Sequence, residues 1–247
     1  MADCFDVLLI YIVFIVFISA LIRATFGFGN ALIGMPLLAL VMDLKSAAPL
    51  VALAALFIGV LILAGSWRHI EYKSAWRLIV STLAGMPIGL FLLKTNDDSI
   101  LKIILAVCII LFACYYLFHP RLIPLRSHRY AYLFGFIGGV LLAAYNTNGP
   151  VVVMYGSMRR WNPVQFRATL QGYLFPTALM VVAGHGISGL WTAEIFGHFL
   201  VSLPFILLAV WMGNRLNRII PKAVFQKWIY ILLLGSGFLL LGQMFFK

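Results

Sequence analysis

Long apolar stretches recur along the whole of this 247-residue chain. Positions 46–67, 78–93, 103–118, 130–158, 168–193, 195–214 and 228–246 contain no Asp, Glu, Lys or Arg, and 7–42 is interrupted only by Arg23. Most approach or exceed the roughly 18–20 residues that carry a helix across hydrocarbon. None alternates with period two, so the barrel solution to the membrane problem is excluded and helices remain. The pattern predicts helices at about 7–42, 46–66, 75–93, 100–118, 130–157, 164–184, 192–214 and 223–246. The fold class is therefore all-α integral membrane, a single domain over residues 1–247, in the cell inner (plasma) membrane.

The first stretch is too long for one crossing. As a continuous helix, residues 7–42 would measure about 54 Å against a hydrocarbon core of about 30 Å. Its weak point is Thr25-Phe26-Gly27-Phe28-Gly29-Asn30, since glycine is a poor helix former and adopts backbone angles other residues avoid. The fifth stretch has a matching weak point at Tyr145-Asn146-Thr147-Asn148-Gly149-Pro150, where proline removes a donor and disfavours helix at the residue before it. The two lie about 118 residues apart, and Pro87 and Pro204 repeat the interval. This spacing predicts two four-helix repeats, 1–118 and 130–247, joined by the 119–129 connection, with helices 1 and 5 broken or re-entrant.

Composition agrees with burial in lipid: 64% of residues are apolar and 10% charged, with a mean hydropathy of +1.05, against about 45–50% and 25% in soluble domains. The net charge of +11 would suggest nucleic acid in a soluble protein. Here the basic residues flank the spans, so they are assigned to lipid headgroups and no nucleic-acid partner is expected. Cys4, Cys108 and Cys114 lack metal-ligand spacing and read as packing residues; neither a metal nor a cofactor is expected. The opening Met1–Asp6 has no basic run, so the first segment is expected to remain in the mature chain. With eight full crossings, ten Lys and Arg on the side of loops 1, 3, 5 and 7 face seven on the other, which favours the first side as cytoplasmic and both termini outside. Homo-oligomerisation is left open.

Unwound backbone survives in hydrocarbon only where protein or a wet cavity satisfies it, and two such stretches in equivalent positions point to a transport site. Half-helices starting after the breaks would aim unpaired N–H groups and positive dipole ends at a shared space, which favours an anion. The candidate substrate-binding residues are Arg23, Thr25, Gly29, Asn30, Asn146, Thr147, Asn148, Gly149, Arg167 and Gln171. Arg23 stands out, because an arginine facing lipid costs at least about 2.5–3.5 kcal/mol. The competing reading makes the polar cluster helix caps and interhelical glue. His185 and His198 are expected to be packing residues. Paired intramembrane carboxylates, HExxH and a nucleophile beside a histidine are all missing from the sequence, so no enzyme is expected. A small-anion transporter leads, ahead of an anion channel and a membrane-embedded lipid-modifying enzyme.

At these breaks the sequence resembles the sulfite exporter TauE/SafE family, an anion permease group that includes toluene-sulfonate uptake proteins. The family pattern is Gly-x-Gly-Gly-Gly, apolar residues and a proline near the start of each half. The first copy here, Gly27-Phe28-Gly29-Asn30-Ala31-Leu32-Ile33-Gly34-Met35-Pro36, keeps two glycines and the proline. The second, Tyr145-Asn146-Thr147-Asn148-Gly149-Pro150, keeps the last glycine and a proline. The resemblance implies export of sulfite, an organosulfonate or a related small anion, held where the halves meet. Asparagine at 30, 146 and 148 in place of glycine enriches the site in amides.

Overall fold

The computed structural model describes residues 2–63, 72–95, 98–118, 124–125, 127–161 and 163–219, with five further positions near the C-terminus. The described residues form nine helices and no strand: α1 Ala2–Phe26, α2 Asn30–Ala39, α3 Leu44–Leu63, α4 Tyr72–Thr95, α5 Asp98–Phe118, α6 Tyr130–Tyr145, α7 Gly149–Met158, α8 Pro163–Ile187 and α9 Ala193–Ile219. Five of them hold stretches long and apolar enough to cross a bilayer. Of the helix expected at 223–246, only those five positions are described. Large apolar side chains such as Phe91, Leu111 and Leu200 are exposed, as lipid-facing residues must be.

Both expected breaks are present. Helix stops at Phe26 and resumes at Asn30, and it stops at Tyr145 and resumes at Gly149. Gly27 and Gly29 take φ of +84° and +104°, and Asn146 takes +53°, left-handed angles that only glycine, or a short amide side chain near αL, adopts readily.

The chain does not kink through these breaks; it turns back. Gly34 of α2 lies against Ser19 of α1, and Arg23 Nη1 donates to Asn30 Oδ1 at 3.3 Å across the turn. In the second case the rings of Phe134 and Tyr155 sit 5.4 Å apart, and Leu125 N donates to Met158 O at 2.9 Å. Residues 21 positions apart can touch like this only if α7 runs antiparallel to α6, because a continuous helix would separate them by about 30 Å. The breaks are therefore the tips of two re-entrant hairpins.

Contacts at the helix ends fix the directions. Leu44 N donates to Asp98 Oδ1 at 2.9 Å, which puts the starts of α3 and α5 at one end of the bundle. Ser74 Oγ reaches His128 Nδ1 and Tyr155 Oη, both at 3.1 Å, which puts the starts of α4 and α6 and the close of α7 at the other. The helices α4 and α6 run parallel, Gly85 against Phe136 and Gly89 against Val140. So do α1 and α9, where Gly213 meets Leu21 and Ala24 and Asn217 Nδ2 donates to Thr25 O. The hairpins consequently enter from opposite ends, with α3 and α8 crossing between them.

This geometry replaces the charge count made for eight full crossings. The starts of α3, α5 and α9 and the ends of α2, α4 and α8 share the end at which α1 starts, and the starts of α4, α6 and α8 and the ends of α3, α5, α7 and α9 share the other. Lys45, Lys94 and Lys102 belong in sequence to the first end. Among the described residues, eight basic ones belong to the second: Lys73, Arg77, Arg129, Arg159, Arg160, Arg167, Arg215 and Arg218. Of the acidic residues among those described, Asp3, Asp6, Asp43, Asp98 and Glu194 fall at the first end.

Candidate anion site

Each hairpin ends in the N-terminus of a short helix, and neither N-terminus is capped by a side chain. Gly29 precedes α2 and has none to offer; Asn148 precedes α7, and its side chain does not cap. The first intrahelical bonds are Ile33 N to Gly29 O and Val152 N to Asn148 O, each at 3.3 Å. The N–H groups of Asn30, Ala31 and Leu32, and of Gly149 and Val151, therefore find no acceptor within their own helices. That finding goes against the reading of the polar cluster as helix caps.

The two N-termini open on one buried chamber of about 30 Å³, lined by residues 28–32 and 146–150, by Arg23, and by apolar walls from α3, α6 and α8. Across it, Phe28 of the first tip faces Gly149 of the second. Arg23 is 3% exposed; Nη1 bonds to Asn30 and Nε has no partner. Among the described residues, no carboxylate lines the chamber. A buried, uncountered guanidinium is costly by several kcal/mol, and a bound anion would relieve most of that.

The amides divide their work between holding the tips and facing the chamber. Asn146 Nδ2 donates to Ala48 O at 2.6 Å, which anchors the second tip to α3, while its Oδ1 has no partner. Asn30 accepts from Arg23 and leaves Nδ2 unpaired. Asn148 Nδ2 donates to Thr177 Oγ1 at 3.3 Å, and Thr147 Oγ1 donates to Tyr145 O at 2.8 Å, closing the turn locally. Unsatisfied buried polar atoms are uncommon in folded proteins and call for an explanation. Here three of them, on Arg23, Asn30 and Asn146, belong to residues lining one chamber.

Of the ten residues singled out in the sequence, the chamber brings together Arg23, Gly29, Asn30, Asn146, Thr147, Asn148 and Gly149. Thr25 and Gln171 are not among its lining. The Thr25 hydroxyl bonds to Leu21 O one turn back, at 2.7 Å. Gln171 Nε2 donates to Gly27 O at 2.9 Å, clasping the first tip from α8. The Arg167 side chain lies outside the described residues. One tip-holding residue escaped the sequence reading, Asn217, on Thr25 O; His185, expected to be a packing residue, donates from Nε2 to Ala143 O at 2.9 Å near the end of α6. His185 is a polar group in an apolar run, which is a signal, whereas Asn217 stands between Arg215 and Arg218; the target of each lies on a helix far away in sequence.

Comparison with known proteins agrees with this architecture. The chain matches the family described as "Sulfite exporter TauE/SafE" over residues 12–240. It is 30% identical over 182 residues to the "Probable inner membrane transporter protein TsaS" of Comamonas testosteroni, covering 70% of this chain and 73% of the relative. No solved structure matches. The chain belongs to the sulfite exporter TauE/SafE family and is a membrane transporter of the inner membrane.

Proposed function

We propose that this TauE/SafE family member carries sulfite, an organosulfonate or a related small anion, binding it between the two hairpin tips. The observation that carries the reading is the uncountered Arg23 guanidinium placed beside two uncapped helix N-termini in one buried chamber. Positive dipole ends, unpaired N–H groups and a fixed cation all select negative charge. Amide side chains add donors without adding a competing anion.

The two halves act in this reading as inverted repeats. Helix pairings recur with the halves exchanged: α1 on α9 and α6 on α4, α2 on α3 and α7 on α8, α3 on α9 and α8 on α4. Alternating access follows when one hairpin and its partners rock against the other around the chamber. The basic end, with eight Lys and Arg against three among the described residues, faces the cytoplasm by the positive-inside rule, which leaves the start of α1 outside. Membrane potential, negative inside, then drives export without a further coupling ion, in keeping with spans that hold no Asp or Glu within the chamber.

The test is flux in proteoliposomes with sulfite, sulfate, taurine, isethionate and sulfoacetate, at imposed voltages and pH gradients. Saturable transport of at least one sulfur oxyanion, accelerated by a voltage that repels it and lost in Arg23→Gln, is the expected result. Transport of a cation with none of these anions carried would end the proposal.

A further inference from the structure

The unpaired groups around the chamber do not all have one polarity. Arg23 Nε, Asn30 Nδ2 and the N–H groups at the starts of α2 and α7 offer hydrogen, whereas Asn146 Oδ1 can only accept it. Asn146 is 6% exposed and belongs to the chamber lining. Its amide cannot turn over: Nδ2 donates to Ala48 O at 2.6 Å, and the flipped group would press oxygen against oxygen. The backbone is pinned as well, with φ of +53° and N donating to Leu142 O at 2.8 Å. The acceptor is therefore fixed in place, and a buried acceptor left unpaired is costly.

A fully deprotonated oxyanion answers only half of this arrangement. It brings oxygens for the donors and no hydrogen for Oδ1, so it sets acceptor against acceptor. Charge points the same way. Arg23 is the one cation among the described lining residues, and a single negative charge matches it; a second would stay uncompensated between apolar walls. Resting on the anion reading above, we infer that the site selects a hydrogen oxyanion, a monoanion that keeps one proton and donates it in a hydrogen bond to Asn146 Oδ1. Asn146 is then a specificity-determining residue that reads the protonation state of the substrate, and each anion crosses with one charge.

The charged and titratable side chains around Asn146 are Arg23 of α1 in the lining, Tyr145 beside it in sequence, and His185 of α8, bonded to Ala143 O; Lys45 of α3 is exposed. Histidine is the one type among these that ordinarily titrates near neutrality, so the test must separate it from the substrate. Uptake of sulfite and of selenite is measured below KM in proteoliposomes of the full chain, with equal pH on both sides, across the neutral range. Hydrogen selenite gives up its proton at a higher pH than hydrogen sulfite. Expected is a flux that falls about tenfold per pH unit above each substrate's own pKa, with the selenite curve on the alkaline side of the sulfite curve and one elementary charge moved per anion throughout. In Asn146→Gly, which tolerates the αL angle, the fall with pH becomes shallow and the ratio of sulfite to sulfate flux shrinks at least fivefold. Should that variant fail to fold, the two curves and the charge count on the unaltered chain decide the matter. One midpoint shared by both substrates assigns the pH dependence to His185 and overturns the inference, as do two charges per anion, a flux indifferent to pH, or an Asn146→Gly protein with unchanged curves. Failure of sulfite, selenite and sulfate alike at every pH strikes the anion reading instead.

Discussion

The two hairpin tips share a geometry and differ in chemistry. Each joins a helix end to a ten-residue helix through three residues, and each presents an uncapped N-terminus to the chamber. The first tip makes its turn with Gly27 and Gly29 and carries the one arginine. The second turns through Asn146 and surrounds its helix start with neutral amide and hydroxyl groups. Backbone direction is thus secured twice, by glycine where the side chain must be missing and by asparagine where an αL residue can also anchor to Ala48 O. The difference teaches that the positive dipole ends are common to both sides while the full charge comes from one. Attraction should therefore be lopsided, with the second tip setting fit and orientation.

That asymmetry can be broken most sharply at Arg23. Arg23→Gln removes the charge and is expected to reduce sulfur-oxyanion flux about 100-fold, the loss of a charge-assisted bond worth about 2–3 kcal/mol; Arg23→Lys should return part of it, measured as initial uptake in proteoliposomes. Next comes the turn itself. Gly29→Ala forces a side chain to φ of +104°, costing about 1–3 kcal/mol, and should lower the unfolding temperature in detergent more than Asn146→Gly, which keeps αL and loses only the bond to Ala48. Asn148→Ala should raise KM about fivefold to tenfold, as one neutral hydrogen bond of about 1 kcal/mol predicts, with little change in thermal stability. The smallest effect is expected for Thr25→Ala, whose hydroxyl serves only its own helix: within about 0.5 kcal/mol in stability and no change in KM. If Thr25→Ala shifted KM as far as Asn148→Ala, the division between the tips would be drawn in the wrong place.

Helices and breaks were legible in the sequence because both rest on local chemistry. Charge-free runs give spans, and Gly27, Gly29, Asn146 and Pro150 are local reasons for a helix to stop. The turn-back was not legible, since the same residues allow a kink that continues onward. Only contacts between distant positions, such as Phe134 with Tyr155, decide between the two, and they also move Lys45 to the end of the bundle opposite Arg159 and Arg215. Seven of the ten candidates line the chamber, and they were legible for the same local reason: they sit in the breaks or, as Arg23, within a turn of one. Gln171 and Thr25 were chosen for their polarity, but which face of a helix a side chain leaves from, and which carbonyl it finds, is set by neighbours. His185 and Asn217 show the converse, polar groups whose purpose becomes visible only when the opposing helix is in place.

A methyl group placed on Gly85, Gly89, Gly135 or Gly139 would strike backbone of the facing helix, and one on Gly213 would strike α1. Such seams let main chains touch and leave no slack for sliding. One seam welds the second hairpin to α4, from the first half of the sequence, and the other fastens the first hairpin to α9, from the second half. The halves are thus clasped like crossed forearms, and in the proposed cycle the bodies that trade places are each hairpin with its seam partner, not the N- and C-terminal halves. A chain severed in the 119–129 connection would yield fragments that each lack a seam partner and regain one only by pairing.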